Sequence, residues 1–488
     1  MFSLTLLIVF LVAMVVIGIW GMRKTKNLGD FFLGGRTLGP WMSAFAYGTT
    51  YFSAVIFIGF AGKIGWGFGL NGLWIAFGNA VFGTLLAWLV LGKRTRRMTQ
   101  NLDAMTMPEF FHERFQGKYI KMVTAVIIFV FLTPYSASVF KGLGYLFQAT
   151  FGISYNLALL IMILITGIYL ILGGYFAVAL TDFIQGIIML GGSILMVAVL
   201  TAKAGGWAGI LPLIAEKYAQ HVPAAHQPGW LMLASLVFMT SFGTWGMPQM
   251  VQKFYAIKNE KMIIRGAIIS LLFAVVITFA AYFTGALAHV FMNAPVMANG
   301  KPAFDQIIPN LLTQNLPEPL MAVILLLVLS ASMSTLSSLV LVSASAISID
   351  LYKGHVNPHV SKEDSLMMIR FLSGVFIAIS FFIARYEFAF IVTLMALSWG
   401  VVAGSFMAPF LYGLYWKRTT KIGVKAGMAT GLLINIVAFC YLGKDKYQAN
   451  STIVASCAML APFIVVPLVS IFTRPPQKAL LDKAFEKI

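Results

Sequence analysis

Two stretches decide how this chain folds: FSAVIFIGFAGKIGWGFGLNG at residues 52–72 and TSFGTWGMPQM at residues 240–250. Each lies within an apolar run long enough to cross a bilayer, and each carries residues that disrupt a continuous helix. The first holds Gly59, Gly62, Gly65, Gly67 and Gly69, and the second packs Gly243, Gly246 and Pro248 into a few positions. Pro248 has no N–H, and its ring clashes with the carbonyl four residues back, so the helix is expected to kink or unwind there. At membrane depth an unwound segment is tolerated only where its freed backbone is buried in protein or lines a cavity. The alternative reading is close helix packing, which glycine also permits.

The surrounding composition makes the membrane setting plain. Of 488 residues, 60% are hydrophobic and 10% charged, against about 45–50% and 25% for soluble domains. Solid apolar runs, rather than the alternation of a β-barrel, recur from end to end. They give 13 candidate spans at about 2–22, 39–65, 70–92, 119–150, 153–173, 177–202, 229–254, 263–292, 318–351, 366–385, 387–416, 422–442 and 450–473. The fold class expected is therefore all-α and polytopic. The two interrupted spans stand five apart, which fits a transporter core of two inverted five-helix repeats with solute and ions held at the breaks. The first span lacks a small-residue cleavage site, and its charges Arg23, Lys24 and Lys26 follow the apolar run, so it reads as an anchor rather than a signal peptide.

Charge placement supplies an orientation. Loops on one side carry 26 of the 34 Lys and Arg, those on the other carry six, and Lys63 and Lys141 fall within spans. The positive-inside rule then places the N-terminus outside and the C-terminus in the cytoplasm, in the plasma membrane. The net charge of +18 is accounted for by these loops, and no basic face combines with stacking aromatics to suit nucleic acid. No P-loop, Ser/His/Asp constellation or metal-spaced His/Cys cluster is found, which argues against an enzyme. Cys440 and Cys457 lie in late apolar segments and imply no disulfide framework.

Two further features point to chemistry. In LLLVLSASMSTLSSLVLVSASAISIDLYKG (325–354), Ala331, Ser334 and Thr335 share a helix face, and Ser337 and Ser338 stand one turn on from Ser334. Hydroxyls and freed carbonyls suit a small hard cation such as sodium, although serines in membrane helices also bond back to their own carbonyls. In GGYFAVALTDFIQGIIML (173–190), Asp182 is read as the only acid inside the hydrocarbon region, where a charged Asp costs about 2.5–3.5 kcal/mol. A distant lysine, a bound cation or proximity to inner water must compensate it. Lys63 and Lys141 either snorkel to the outer interface or line a vestibule that attracts an anionic solute.

With these residues in view, the chain resembles the sodium/solute symporters, sodium-coupled carriers of proline, pantothenate, sialic acid, sugars, iodide and monocarboxylates. The resemblance is carried by DFFLGGRTLGPW (30–41), GGYFAVALTDFIQG (173–186), the Gly/Pro break near Pro248, SMSTLSSLVLVSASAISIDLYKG (332–354) and APFLYGLYWKRTTKIGVKAGMATG (408–431). It implies a LeuT-like 5+5 inverted-repeat core with two broken helices. The divisions would be 1–38 for an extra helix and first inner loop, 39–202 and 203–416 for the repeats, and 417–488 for two last helices and a tail. It implies a main sodium site from the carbonyls of Thr49, Phe52 and Ala331 with the hydroxyls of Ser334 and Thr335. A second sodium site would use Asp182, Ser334, Ser337 and Ser338. The solute wall implied comes from Ser53, Ile56 and Phe57 on one break and Thr240, Thr244 and Trp245 on the other.

Where proline carriers show an aspartate and a tryptophan this chain has Tyr51 and Val55, and where sugar carriers show Asn and Gln it has Tyr51 and Ile56. Both differences argue against those two solutes. The expectation is a monomeric carrier that imports a small organic acid or amino-acid-like solute with two sodium ions across the lipid bilayer. A non-transporting solute sensor on the same fold is the alternative.

Overall fold

The structure, a computed structural model, describes residues 2–24, 33–172, 175–298 and 300–486. Lys26, the opening residues 30–32 of the DFFLGGRTLGPW stretch, and Gly173 and Gly174 lie outside the described residues. Helix α1 (Phe2–Lys24) leads to the first broken span, built from α2 (Pro40–Tyr51), a π-helical stretch Val55–Phe60 and α3 (Ala61–Phe68). After a turn at Gly69–Gly72, α4 (Leu73–Ala80) runs through a second π stretch, Val81–Leu86, into α5 (Ala87–Asn101). Then come α6 (Met107–Phe115), α7 (Lys118–Phe151), α8 (Tyr155–Leu172), α9 (Tyr175–Lys203) and the short outer-loop helix α10 (Ile210–His221). The second broken span is α11 (Trp230–Phe242) and α12 (Pro248–Tyr255). It is followed by α13 (Lys261–Phe291), α14 (Ile307–Asn315) and α15 (Glu318–Ser345), which ends in a π-helical turn, Ala346–Val356. Helices α16 (Lys362–Arg385), α17 (Ile391–Tyr415), α18 (Lys421–Ile471) and α19 (Lys478–Ala484) complete the chain.

Eight of the described helical segments are long and apolar enough to cross a membrane, or nine if the bent pair α11 and α12 is one span. Two of the eight, Val55–Asn101 and Lys421–Ile471, run 47 and 51 residues. At about 1.5 Å per residue each exceeds twice the hydrocarbon thickness. The first turns back at Gly69, where φ is +53°, and the second is broken at Gly443, where φ is +72°, a conformation natural to glycine. Helices α15 and α17 form the centre: 89% and 94% of their apolar windows are buried, against 28% for α16 at the rim.

The broken spans open elsewhere than their glycines indicate. The first unwinds at Phe52–Ser53, where Phe52 is extended (φ −105°, ψ 108°), upstream of the glycine run. Gly59, Gly62 and Gly65 stay helical and serve close packing instead. A Cβ on Gly65 would lie 2.2 Å from the Gly285 carbonyl carbon of α13, and one on Gly62 would lie 2.4 Å from the Phe304 carbonyl oxygen. In the second span a 3-10 turn at Gly243–Trp245 leads to an extended Met247, with a 43° bend, and Pro248 begins α12. Its missing N–H costs nothing there, because a first-turn N–H has no helical partner. The chain entering the first broken span is tied to the chain leaving the second. Leu38 donates its N–H to the Ala256 carbonyl at 3.3 Å and accepts from Lys258 N–H at 3.1 Å, and the Arg36 guanidinium donates to the Tyr255 carbonyl at 3.1 Å.

The α3–α13 contact generates a stability prediction. Gly65→Ala forces two backbones apart and is expected to cost about 1–3 kcal/mol, read as a fall of several degrees in the midpoint of thermal unfolding in detergent. Gly67→Ala, whose Cβ would meet only Pro228 at 3.4 Å, is expected to leave that midpoint unchanged.

Candidate functional site

The backbone opened at Phe52–Ser53 meets the serine-rich face of α15. Thr335 Oγ1 lies 3.2 Å from the Thr49 carbonyl, 3.1 Å from the Thr50 carbonyl and 3.1 Å from its own Ala331 carbonyl. Ser334 Oγ donates to Thr49 Oγ1 at 2.8 Å, and Thr49 Oγ1 donates to the Phe45 carbonyl at 2.8 Å. A hydroxyl has one proton, so around Thr335 three carbonyls compete for a single donor. All of these residues are buried. Thr49, Ala331, Ser334 and Thr335 are thus brought together as the sequence implied. Thr50 joins them, and the extended Phe52 leaves the helical ladder beside them.

The next turn of α15 holds a second polar cluster. Ser337 Oγ bonds back to the Ser334 carbonyl at 2.8 Å, whereas Ser338 Oγ reaches across to Thr50 Oγ1 at 3.0 Å. The serine ladder therefore divides between self-bonding and cross-helix contacts. Asp182, on α9, lies in this cluster, fully buried, with no well-directed hydrogen bond on either carboxylate oxygen. Its counter-charge is Lys253 of α12, whose Nζ stands 3.5 Å from Asp182 Oδ2 and donates to Ser338 Oγ at 3.0 Å.

Lys253, near the end of the seventh candidate span, is 2% exposed and belongs to the second helix of the second broken span. The signal for it was positional, since it stands five residues after Pro248, on a helix that the break turns inward. Asp182 is also not the only fully buried acid on a span. Asp350, in the terminal π turn of α15, pairs with Lys121 at 3.3 Å and accepts from Thr106 Oγ1 at 2.9 Å.

Above the break lies a narrow cavity lined by Ser53, Ile56 and Thr240 together with Tyr51, Asn79, Tyr135, Tyr282 and Met395, among others. No charged side chain lines it. Tyr51 crosses from one broken span to the other and donates to the Thr240 carbonyl at 2.6 Å. Phe57, Thr244 and Trp245 are not among the residues that line this cavity. Thr244 Oγ1 bonds to the Ser241 carbonyl at 3.0 Å, and Trp245 Nε1 donates to the Phe82 carbonyl at 3.1 Å. Tyr51 sits at the break itself, whereas Asn79, Tyr135 and Tyr282 come from other helices, and no local spacing marks them.

Away from this cavity, Lys141 of α7 is buried and ion-paired. Its Nζ lies 3.1 Å from Asp305 Oδ2 and donates to the Ala389 carbonyl at 2.7 Å, and Asp305 accepts the Ile391 N–H at 3.1 Å. Tyr145 donates to Glu387 beside this pair. The snorkelling reading fails for Lys141, and its charge is already neutralised. Lys63 lies over the Phe390 ring, 5.2 Å from its centroid, at the edge of the same vestibule.

Two discontinuous spans crossing at a polar, buried centre define a secondary carrier of the membrane. The chain belongs to the sodium:solute symporter family, whose model matches residues 31–431. Among its relatives, the osmoregulated proline transporter OpuE of Bacillus subtilis is 31% identical over 96% of this chain and 95% of its own length. A sodium/proline symporter of Staphylococcus aureus is 30% identical over 89% of this chain and 85% of its own. The fold is that of a sodium-coupled sialic acid symporter solved in a substrate-bound outward-open state, with a TM-score of 0.75 at 18% identity over 98% and 99% of the two chains. Mhp1, a nucleobase-cation-symport-1 family transporter, follows at 0.55 and 14% identity over 93% and 97%. Membership makes this a symport protein of the cell membrane with sodium as its coupling ion.

The outer pair gives a prediction. Lys141→Met leaves Asp305 uncompensated in a buried setting and is expected to lower stability by about 3–5 kcal/mol. Lys141→Met with Asp305→Asn is expected to recover most of the loss in the same thermal measurement.

Proposed function

We propose that this chain imports a small organic solute with sodium by alternating access across the plasma membrane, and that its main sodium site is formed by Thr49, Phe52, Ala331, Ser334 and Thr335. The observation that carries the reading is the crowding of the Thr49, Thr50 and Ala331 carbonyls around one hydroxyl. Oxygens that outnumber protons at a break between two helices are the ligand set of a small hard cation. Asp182, Ser334, Ser337 and Ser338 constitute a second cation site one turn away.

The solute we infer is amino-acid-like or a small monocarboxylate, held by Ser53, Ile56 and Thr240 with Tyr51, Asn79, Tyr135 and Tyr282. An uncharged, aromatic lining with a few hydroxyls and one amide suits a compact solute with an apolar body. Proline is what the named relatives carry. Tyr51, which stands where the proline carriers show an aspartate, argues for a different member of that chemical class. Thirteen crossings follow if Val55–Asn101 and Lys421–Ile471 each contribute a hairpin and the shorter apolar helices also span. Repeats at 39–202 and 203–416, an outside N-terminus and a cytoplasmic C-terminus complete the arrangement.

Ser334→Ala and Thr335→Ala are each expected to raise the sodium concentration for half-maximal uptake by about tenfold, the loss of one oxygen ligand, in proteoliposomes offered radiolabelled amino acids and monocarboxylates. Replacement of sodium by choline abolishes uptake in the native chain. Uptake indifferent to that replacement, or unaffected by both variants, is incompatible with the proposed site.

A further inference from the structure

The second polar cluster already contains a cation that belongs to the protein. Lys253 Nζ donates to Ser338 Oγ at 3.0 Å and lies 3.5 Å from Asp182 Oδ2. Both partners are among the four residues of the second cation site. The ammonium, the carboxylate and the serine are at most 3% exposed, and they are supplied by three different helices, α12, α9 and α15. We propose that Lys253 is a tethered substitute for a second sodium ion, so that this carrier couples to one sodium per solute rather than two. The proposal rests on the first sodium site described above, and it replaces the two-sodium expectation.

The reasoning is one of charge in a dry site. Asp182 supplies one negative charge, and Ser334, Ser337 and Ser338 supply none, so the cluster balances one monovalent cation. Lys253 provides it. A sodium ion about 4 Å from that ammonium would meet repulsion that lowers its affinity roughly a thousandfold at the effective dielectric of buried protein sites. Lysine and sodium are interchangeable here because both are compact monocations that take oxygen ligands, but lysine cannot leave. A fixed ammonium satisfies Asp182 at every stage of the cycle and contributes nothing to the driving force.

The energetic consequence is definite. With a tenfold sodium gradient and about 100 mV, one sodium concentrates a neutral solute several hundredfold, whereas two would reach on the order of 10⁵-fold.

The test uses the purified full-length chain and sodium alone, with bound sodium-22 counted by equilibrium dialysis. The native chain is expected to bind one ion. Lys253→Met, which keeps the length of the side chain and removes its charge, is expected to bind two. Lys253→Arg and the double variant Lys253→Met with Asp182→Asn are each expected to return to one. Two ions on the native chain, a count that needs no variant, overturns the proposal, as does a folded Lys253→Met chain that still binds one. A native chain that binds none overturns instead the first sodium site on which the proposal depends. Should Lys253→Met fail to fold, the native count still decides, because two ions on the native chain overturn the proposal.

Discussion

Hydrocarbon offers no hydrogen-bond partner, and everything at the centre of this protein follows from that constraint. A helix interrupted at Phe52–Ser53 releases carbonyls that water would satisfy in a soluble protein. Here α15 satisfies them, with Thr335 placed against the Thr49 and Thr50 carbonyls and Ser334 against the Thr49 hydroxyl. The arrangement holds the break open and leaves more oxygens than protons around it. A local defect in one helix and a run of hydroxyls on another, each costly alone in lipid, compensate one another here.

Charge obeys the same rule. Among the described residues, Asp182 is met by Lys253, Asp305 by Lys141 and Asp350 by Lys121. In each case the partner comes from a different helix, separated by at least 71 positions along the chain. Removing one member of such a pair leaves a buried charge with no solvent to receive it. The three pairs lie in different places: Lys141 with Asp305 in the vestibule that Lys63 edges, Lys253 with Asp182 beside the break, and Lys121 with Asp350 at the end of α15. Each pair ties together elements far apart in sequence.

Much of this was legible in the order of residues. Apolar length and low charge established a helical membrane protein, the Gly/Pro stretch marked the second break, and the 3.6-residue repeat placed Ser334, Thr335, Ser337 and Ser338 on adjacent turns of one face. Glycine misled at the first break, since its lack of a side chain serves backbone contact as readily as unwinding. Only the neighbour reveals which: Gly65 meets Gly285 and stays helical. The lining of the cavity was half legible for a related reason. Ser53, Ile56 and Thr240 sit on the broken spans themselves, whereas Asn79, Tyr135 and Tyr282 arrive from helices whose rotation about their own axes no local spacing encodes.

The sequence by itself determined the membrane setting, the helical class, the existence of two interrupted spans and the hydroxyl-rich face of α15, because hydropathy, backbone propensity and side-chain type are properties of near neighbours along the chain. The tertiary structure alone decided where the first span opens, which carbonyls Thr335 faces, which tyrosines close the cavity and which lysine answers Asp182. Those depend on the packing of helices far apart in sequence. Lys253 shows the difference most clearly. Read along the chain it is one more positive charge before an inner loop, and in the folded protein it is a buried cation at the centre of the molecule.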